Sequence, residues 1–207
     1  MFIPSISKEE LSLLPKGQFQ GQIHLIDQVS KADHVCKILA HEPVLGFDTE
    51  TKPSFTKGQV HRVSLLQLST ETDSYLFRLN KIGLVGGVLG ILSNPHQLKI
   101  GIAIHDDIRH LKQLHPFRPE GFVELQDYVK KFGIENSGLS KLSGIILNFR
   151  ISKSQQLTNW ENEELTPSQQ MYAATDAWAA YEIYKALLAN PQFENQEPKV
   201  KNQEENL

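Results

Sequence analysis

Apolar and polar positions change rhythm several times along this chain. Residues 22–26 (QIHLI) alternate and predict a strand, whereas residues 30–40 set Val35, Ile38 and Leu39 facing inward and predict a helix. Residues 44–48 form a short apolar run that ends in an acid, read as a second strand. Residues 62–69 (RVSLLQLS) and 74–79 (SYLFRL) flank the polar stretch Thr70-Glu71-Thr72-Asp73 and predict a β-hairpin. A helix follows over residues 82–92 despite its glycines, then a strand over 98–102. Residues 106–114 carry Ile108, Leu111 and Leu114 at helical spacing. Past Pro116 and Pro119 the pattern becomes mainly helical, over 125–132, 139–146 and the long segment 168–188. Thr166 as N-cap and Pro167 at the first helical position mark the start of that last helix.

Before this series, Lys8-Glu9-Glu10-Leu11 predicts a helical turn and Pro15-Lys16-Gly17 a break, so residues 1–20 are expected to form a leader segment. From residue 190 the chain turns polar and loses periodicity, and residues 190–207 are expected to be a disordered tail. Residues 21–189 are the expected single domain. Antiparallel strands, then strand–helix alternation, then helices imply the α/β class, a sheet flanked by helices. No internal repeat is present.

The 40% hydrophobic and 22% charged fractions are ordinary for a soluble globular protein. A single cysteine, Cys36, excludes an intrachain disulfide and a thiolate zinc site. No apolar run approaches the roughly 18–20 residues of a membrane span, and the first ten residues lack the basic start and apolar stretch of a secretory signal. The expectation is a soluble cytoplasmic protein with no membrane partner; oligomeric state is not encoded legibly. A net charge of −3 does not announce a nucleic-acid binder and does not exclude one. Carboxylates gathered around bound cations carry local positive charge that the count omits.

Three acidic groups carry the candidate chemistry. Asp48 and Glu50 end an apolar run, and residues two apart on a strand point to one face, with Phe47 and Thr49 on the other. Two like charges on one face call for a cation. His105-Asp106-Asp107 follows the strand over 98–102, where one aspartate would serve as a helix N-cap. Tyr172 and Asp176 stack at i, i+4 on the long helix, amid alanines that allow another element to come close. Each group alone has a plain alternative: solvated acids at a strand end, a cap, a half-buried tyrosine beside a surface acid. Together they supply the oxygen ligands that suit Mg²⁺ or Mn²⁺. Two such ions about 3.5–4 Å apart can align the attacking and leaving oxygens of a phosphodiester. Tyr172, with an ordinary pKa of about 10, would orient or deprotonate the water while the metal does most of the acidifying.

The motifs resemble the DEDD 3′–5′ exonucleases of the tyrosine subclass, the group that includes ribonuclease D and the Werner syndrome exonuclease domain, with the Werner type the nearer match. The first motif is Phe47-Asp48-Thr49-Glu50 with the run over 62–68; the second is residues 99–107; the third is residues 165–176. Residues 122–127 and the run 154–160, ending Thr158-Asn159-Trp160, resemble the connecting text, and the likeness covers about residues 22–188. The resemblance implies a ribonuclease H-like mixed central sheet flanked by helices. It implies Asp48, Glu50, Asp107 and Asp176 as ligands of two divalent cations, Mg²⁺ or Mn²⁺, and Tyr172 as the residue that positions water. Asp107 is chosen over Asp106 by counting from Gly101. The implied reaction releases nucleoside 5′-monophosphates from single-stranded or 3′-recessed nucleic acid, DNA or RNA.

Thr49, Leu65 and Leu66 are the expected contacts to the terminal nucleotide. Arg109 stands where Werner-type domains carry an aromatic and is expected to bind phosphate instead. Lys52, Lys57 and Arg62 are further candidates along the backbone. Two rival readings compete. His105-Asp106 is the dipeptide of HD-type phosphohydrolases, which need additional histidines; His34, His61, His110 and His115 are present without the right context. A catalytically inactive exonuclease fold kept as a nucleic-acid-binding module is the non-enzymatic alternative.

Overall fold

The computed structural model describes residues 2–56 and 58–190. The tail expected over 190–207 therefore lies outside the described residues from 191 onward, as does Lys57. Six strands form one mixed sheet: β1 (Gln22–Ile26), β2 (Val44–Thr51), β3 (Val63–Ser69), β4 (Asp73–Phe77), β5 (Leu98–Gly101) and β6 (Phe122–Glu124), in the order β1-β4-β3-β2-β5-β6. The β2/β3 and β3/β4 pairs are antiparallel, and β1/β4, β2/β5 and β5/β6 are parallel. The predicted hairpin is β3–β4, closed by the Thr70 amide donating to the Asp73 carbonyl at 2.8 Å.

The helices are α1 (Lys8–Leu13), α2 (Val29–Leu39), α3 (Leu79–Ile82), α4 (Gly86–Leu92), α5 (Ile104–Leu114), α6 (Leu125–Tyr128), α7 (Leu139–Leu142) and α8 (Pro167–Leu188). β3 is buried along its whole length. Central strands covered on both faces read as continuous apolar runs rather than alternations. Leu66 and Leu68 join Phe47 and the apolar faces of α2 and α4 in one core, and Leu65 joins Leu76, Trp160 and Ala173 in another. Among the described residues no helix is long and apolar enough to cross a membrane.

Several predicted elements are reshaped. The helix expected over 82–92 is two helices, because Gly83 adopts φ 67° and closes α3. The helix expected over 125–132 tightens to a 3-10 turn at Val129–Phe132 and stops at Gly133, φ 73°. That over 139–146 widens after one turn and ends at Asn148, φ 58°. Strand β6 was not anticipated, because three residues are too few to show a period. Ile38, expected inward, is 44% exposed. The buried stripe of α2 is Ala32, Val35, Cys36 and Leu39, spaced i, i+3, i+4, i+7, and residue 38 falls outside it.

The expected leader is docked on the domain. Ser7 and Glu10 form a capping box on α1. The Ile6 amide donates to Asn136 Oδ1 at 2.9 Å, Gly17 pairs with Arg150, and Phe19, 1% exposed, donates its amide to Thr175 Oγ1 at 3.1 Å.

Helix α8 lies against β2 at unusually close range. A Cβ added at Gly46 would sit 1.9 Å from the carbonyl oxygen of Ala177 and 3.1 Å from Tyr181 Cβ. The neighbouring obstacle is backbone and cannot rotate away, so Gly46→Ala must push the helix off the strand. We expect a stability loss of about 3 kcal/mol, at the upper end of overpacking, measured by urea denaturation.

Candidate active site

Strand β2 runs beyond its parallel neighbour. Its pairing with β5 covers Val44 to Gly46, after which β5 ends and β2 continues to Thr51. The carboxyl ends of parallel strands are where α/β sheets open into crevices, and the acids of β2 lie there. Asp48 and Glu50 pair across from Gln67 and Leu65 on the face toward α8, while Phe47 and Thr49 face α5. Helix α8 delivers Asp176, 7% exposed, to the same place. Ligand oxygens of Asp48, Glu50 and Asp176 all lie within 4.8 Å of one another. They line a cleft of about 260 Å³ together with Thr49, Tyr172, Ser152, Lys153 and Gln156, over an apolar wall that includes Phe47, Ile102 and Ile151.

Asp107 stands beside this trio rather than within it. The Thr49 hydroxyl donates to Asp107 Oδ1, and the Thr49 amide donates to Asp48 Oδ1 at 2.9 Å. One residue thus ties the second acidic motif to the first. Asp106 points elsewhere, 72% exposed and paired with Arg109 at 2.9 Å. The two neighbouring aspartates thus have different surroundings, Asp107 tied to Thr49 and Asp106 to Arg109.

Neither aspartate caps α5, contrary to expectation. The cap is Glu124, at the end of β6, whose two oxygens accept from the amides of Ala103 at 3.1 Å and Ile104 at 2.9 Å. The same carboxylate accepts from the Gln126 amide at 3.0 Å and caps α6. Ala103 holds φ 58°, a left-handed conformation costly for a residue with a Cβ. Glu124 offsets that cost by anchoring the turn that aims Asp107.

Other expected contacts fall away from the cleft. Leu65 and Leu66 are both 0% exposed and on opposite faces of β3, since adjacent strand residues alternate. Leu65 packs in the layer that Tyr172 covers, and neither leucine lines the cleft. Arg109 is held by Asp106, and Lys52 by Glu161 at 3.2 Å. The cation that does line the cleft is Lys153, which sequence reasoning missed; its place one residue before the noted run 154–160 was the available signal. That run is fastened to α8 by Gln169, whose Nε2 donates to Thr158 Oγ1 at 3.0 Å and to the Asn159 carbonyl at 3.2 Å.

Electrostatics mark the cluster as under-neutralised. Burial, then the Asp107 and Asp176 charges, hold Asp48 well above the usual carboxylate range. Burial, then Asp48, Asp176 and Asp107, push Glu50 up to about 10. Burial takes Asp176 to about 7 against the opposing pull of Tyr172 and Lys153, and Asp107 to about 6 against the Thr49 hydrogen bond. Burial and then the surrounding acids, Asp176 first, keep the Tyr172 phenol protonated, a hydrogen-bond donor. Asp176 Oδ1 is buried with no hydrogen-bond partner. An orphaned carboxylate oxygen among mutually repelling acids fits a hard divalent cation. Among the described residues this metal-suited group contains no histidine, which leaves the HD-type reading without support.

Sheet order, flanking helices and the carboxylate cleft define a ribonuclease H-like nuclease domain. The chain belongs to the 3′–5′ exonuclease family, whose domain model matches residues 23–190. The bifunctional 3′–5′ exonuclease/ATP-dependent helicase WRN of Mus musculus is 32% identical over 184 residues, covering 84% of this chain and 13% of that protein. Exonuclease 3′–5′ domain-containing protein 2 of Mus musculus is 31% identical, covering 83% of this chain and 29% of the relative. The chain thus spans less than a third of the length of either relative. Among solved structures, the Aedes aegypti Nibbler EXO domain superposes with TM-score 0.76 at 25% identity, over 86% of this chain and 93% of that one. Escherichia coli RNase D superposes with TM-score 0.73 at 21% identity, over 86% and 46%, a likeness of fold. These agree with the resemblance carried by the motifs.

Two outcomes follow from this geometry. Glu124→Ala removes the acceptor for two α5 amides and is expected to cost about 1–2 kcal/mol, read by urea denaturation. The raised acids give the metal-free protein a distinctive pH profile. Unfolded carboxylates titrate near about 4, so above that value the folded state holds more protons than the unfolded one. Stability must then fall as pH rises, through about 6 for Asp107, about 7 for Asp176 and about 10 for Glu50. In chelator the melting temperature should drop steadily from about pH 5 to about pH 9, and Mn²⁺ should restore it at the alkaline end. A flat profile in chelator would contradict the buried-acid account.

Proposed function

We propose that this domain is an active 3′–5′ exonuclease that hydrolyses phosphodiester bonds at nucleic-acid 3′ ends and releases nucleoside 5′-monophosphates. The observation that carries this reading is the convergence of Asp48, Glu50 and Asp176, with an unpartnered buried oxygen, in an open cleft of a chain of this family. In this reading Asp48, Glu50, Asp107 and Asp176 hold two divalent cations, Mg²⁺ or Mn²⁺. Such ions supply Lewis acidity and an acidified water when bound.

The chain's own groups supply positioning. Asp48 and Glu50 present their oxygens from one strand face, so their spacing is set by the pleat and not by loop motion. Thr49 orients Asp107 through its hydroxyl. Tyr172, protonated and hydrogen-bonded to Asp176, is placed to align the attacking water through its phenol oxygen. Lys153 rather than Arg109 offers positive charge to the phosphate, because Arg109 is paired with Asp106 outside the cleft. The apolar wall of Phe47, Ile102 and Ile151 excludes water around the terminal nucleotide. Single-stranded or 3′-recessed substrate fits, since a 3′ end must enter a cleft of this volume unpaired. A Trypanosoma brucei RNase D structure with a fold similar to this chain contains RNA.

The test is digestion of matched DNA and RNA oligonucleotides, labelled at the 5′ end, with Mg²⁺ or Mn²⁺. The wild-type chain should shorten at least one of them from its 3′ end. Asp48→Asn should retain the fold by circular dichroism and fall to assay background. Tyr172→Phe should lower kcat about 10²-fold with little change in KM. Binding of every oligonucleotide with cleavage of none would sink the enzyme reading in favour of an inactive binding module.

A further inference from the structure

Beside the catalytic cleft lies a second cavity of about 480 Å³ that shares Ser140, Ile151 and Lys153 with it as lining residues. Its walls come from three places far apart in sequence. Lys8, Leu11 and Ser12 belong to α1, Gly138 and Lys141 lie at α7, and Arg150 and Lys153 belong to the segment before α8. Four of its lining residues are cations and none is an acid. The acids of α1 do not compete: Glu10 is turned back onto the Ser7 amide at 2.8 Å, and Glu9 is outside the lining. Among the described residues no salt bridge engages Lys8, Lys141 or Lys153, whereas Lys52 and Lys81 are paired; Lys153 acts on Asp176 only through its charge. Between the cations the surface is apolar, from Leu11, Ile151 and the lysine stems.

A cavity with spaced cations and an apolar floor, sharing a wall with the catalytic cleft, suits a single nucleic-acid strand, whose backbone a positively charged groove tracks. We infer that this cavity holds the phosphates 5′ to the scissile bond, with Lys8 and Lys141 as their contacts and Lys153 at the junction with the catalytic cleft. The inference rests on the exonuclease reading for its direction, and it assigns substrate binding to a segment outside the matched family domain. That domain begins at residue 23, while Lys8 lies on α1. Docking of residues 2–20 through Ile6, Gly17 and Phe19 then completes the substrate path. The neighbouring cavity on the other side of Tyr172 has one cation, Lys16, and is the weaker candidate by charge.

The test uses the full chain with Lys8→Glu and Lys141→Glu combined. Lys8 directly follows the N-cap Ser7, so an acid there favours the helix and the fold should persist; melting temperature checks it. Anisotropy with a fluorescein-labelled oligothymidylate of roughly twelve nucleotides, in chelator, should show affinity weakened at least about tenfold, and the slope of log K against log salt reduced by about 1.4, two phosphates' worth for a single strand. Turnover of a dinucleotide, too short to leave the catalytic cleft, should fall far less than turnover of the long strand. The milder Lys8→Gln/Lys141→Gln pair should show the same slope change with a smaller affinity loss. Unchanged affinity and slope in both pairs overturn the inference, as does an equal loss on dinucleotide and long strand. If wild-type protein cleaves nothing, the exonuclease reading fails, and the anisotropy arm still decides the groove.

Discussion

The close approach of helix α8 to strand β2 sets the position of everything that could react. Gly46 leaves no side chain between the strand and the Ala177 carbonyl, and Ala173, Ala174, Ala177 and Ala180 keep the helix surface low and fully buried. Small residues on both partners trade side-chain packing for backbone proximity. The result is that Asp176 on the helix and Asp48 and Glu50 on the strand share one small volume. A larger residue at 46 would push the helix off the strand and dissolve the site.

That proximity is opposed by electrostatics. Three carboxylates whose oxygens lie within 4.8 Å of one another cannot all ionise in a buried setting, and the raised affinities of Asp48, Glu50 and Asp176 for protons express the conflict. Packing holds the acids together against their repulsion, and a cation removes it. The repulsion that would weaken the metal-free fold at alkaline pH would be available as binding energy for a metal ion, and the site sits in the rigid layer between sheet and helix.

Around this centre a ring of polar ties holds the loops in register. Glu124 anchors the strained Ala103 turn, Thr49 joins the Asp107 helix to β2, Gln169 clamps the 158–159 segment onto α8, and Thr175 receives the Phe19 amide. Each tie links segments distant in sequence at a point one or two residues from a cleft residue. The N-terminal segment enters the same network, so the fold that surrounds the cleft is larger than the family domain itself.

Strand β2, the β3–β4 hairpin and the start of α8 were legible because each rests on a local rule: an apolar run ended by an acid, two runs about a polar turn, and Thr-Pro at a helix start. The three acidic motifs were legible for a related reason, since strand and helix periods fix which residues share a face. Other features had no local signature. Gly83 and Gly133 break helices by φ, which composition does not reveal. The exposure of Ile38, the burial of both Leu65 and Leu66, and the removal of Arg109 by Asp106 depend on what packs opposite. Glu124 lay in the noted stretch 122–127 with nothing to mark it as a helix cap, and Lys153 looked like an ordinary surface cation. The chemistry of the chain was thus written in short-range spacing, which the backbone geometry of single elements enforces. Which acids meet, which cap is used and which cation faces the cleft were decided by tertiary structure, because burial and long-range hydrogen bonds exist only after the elements pack.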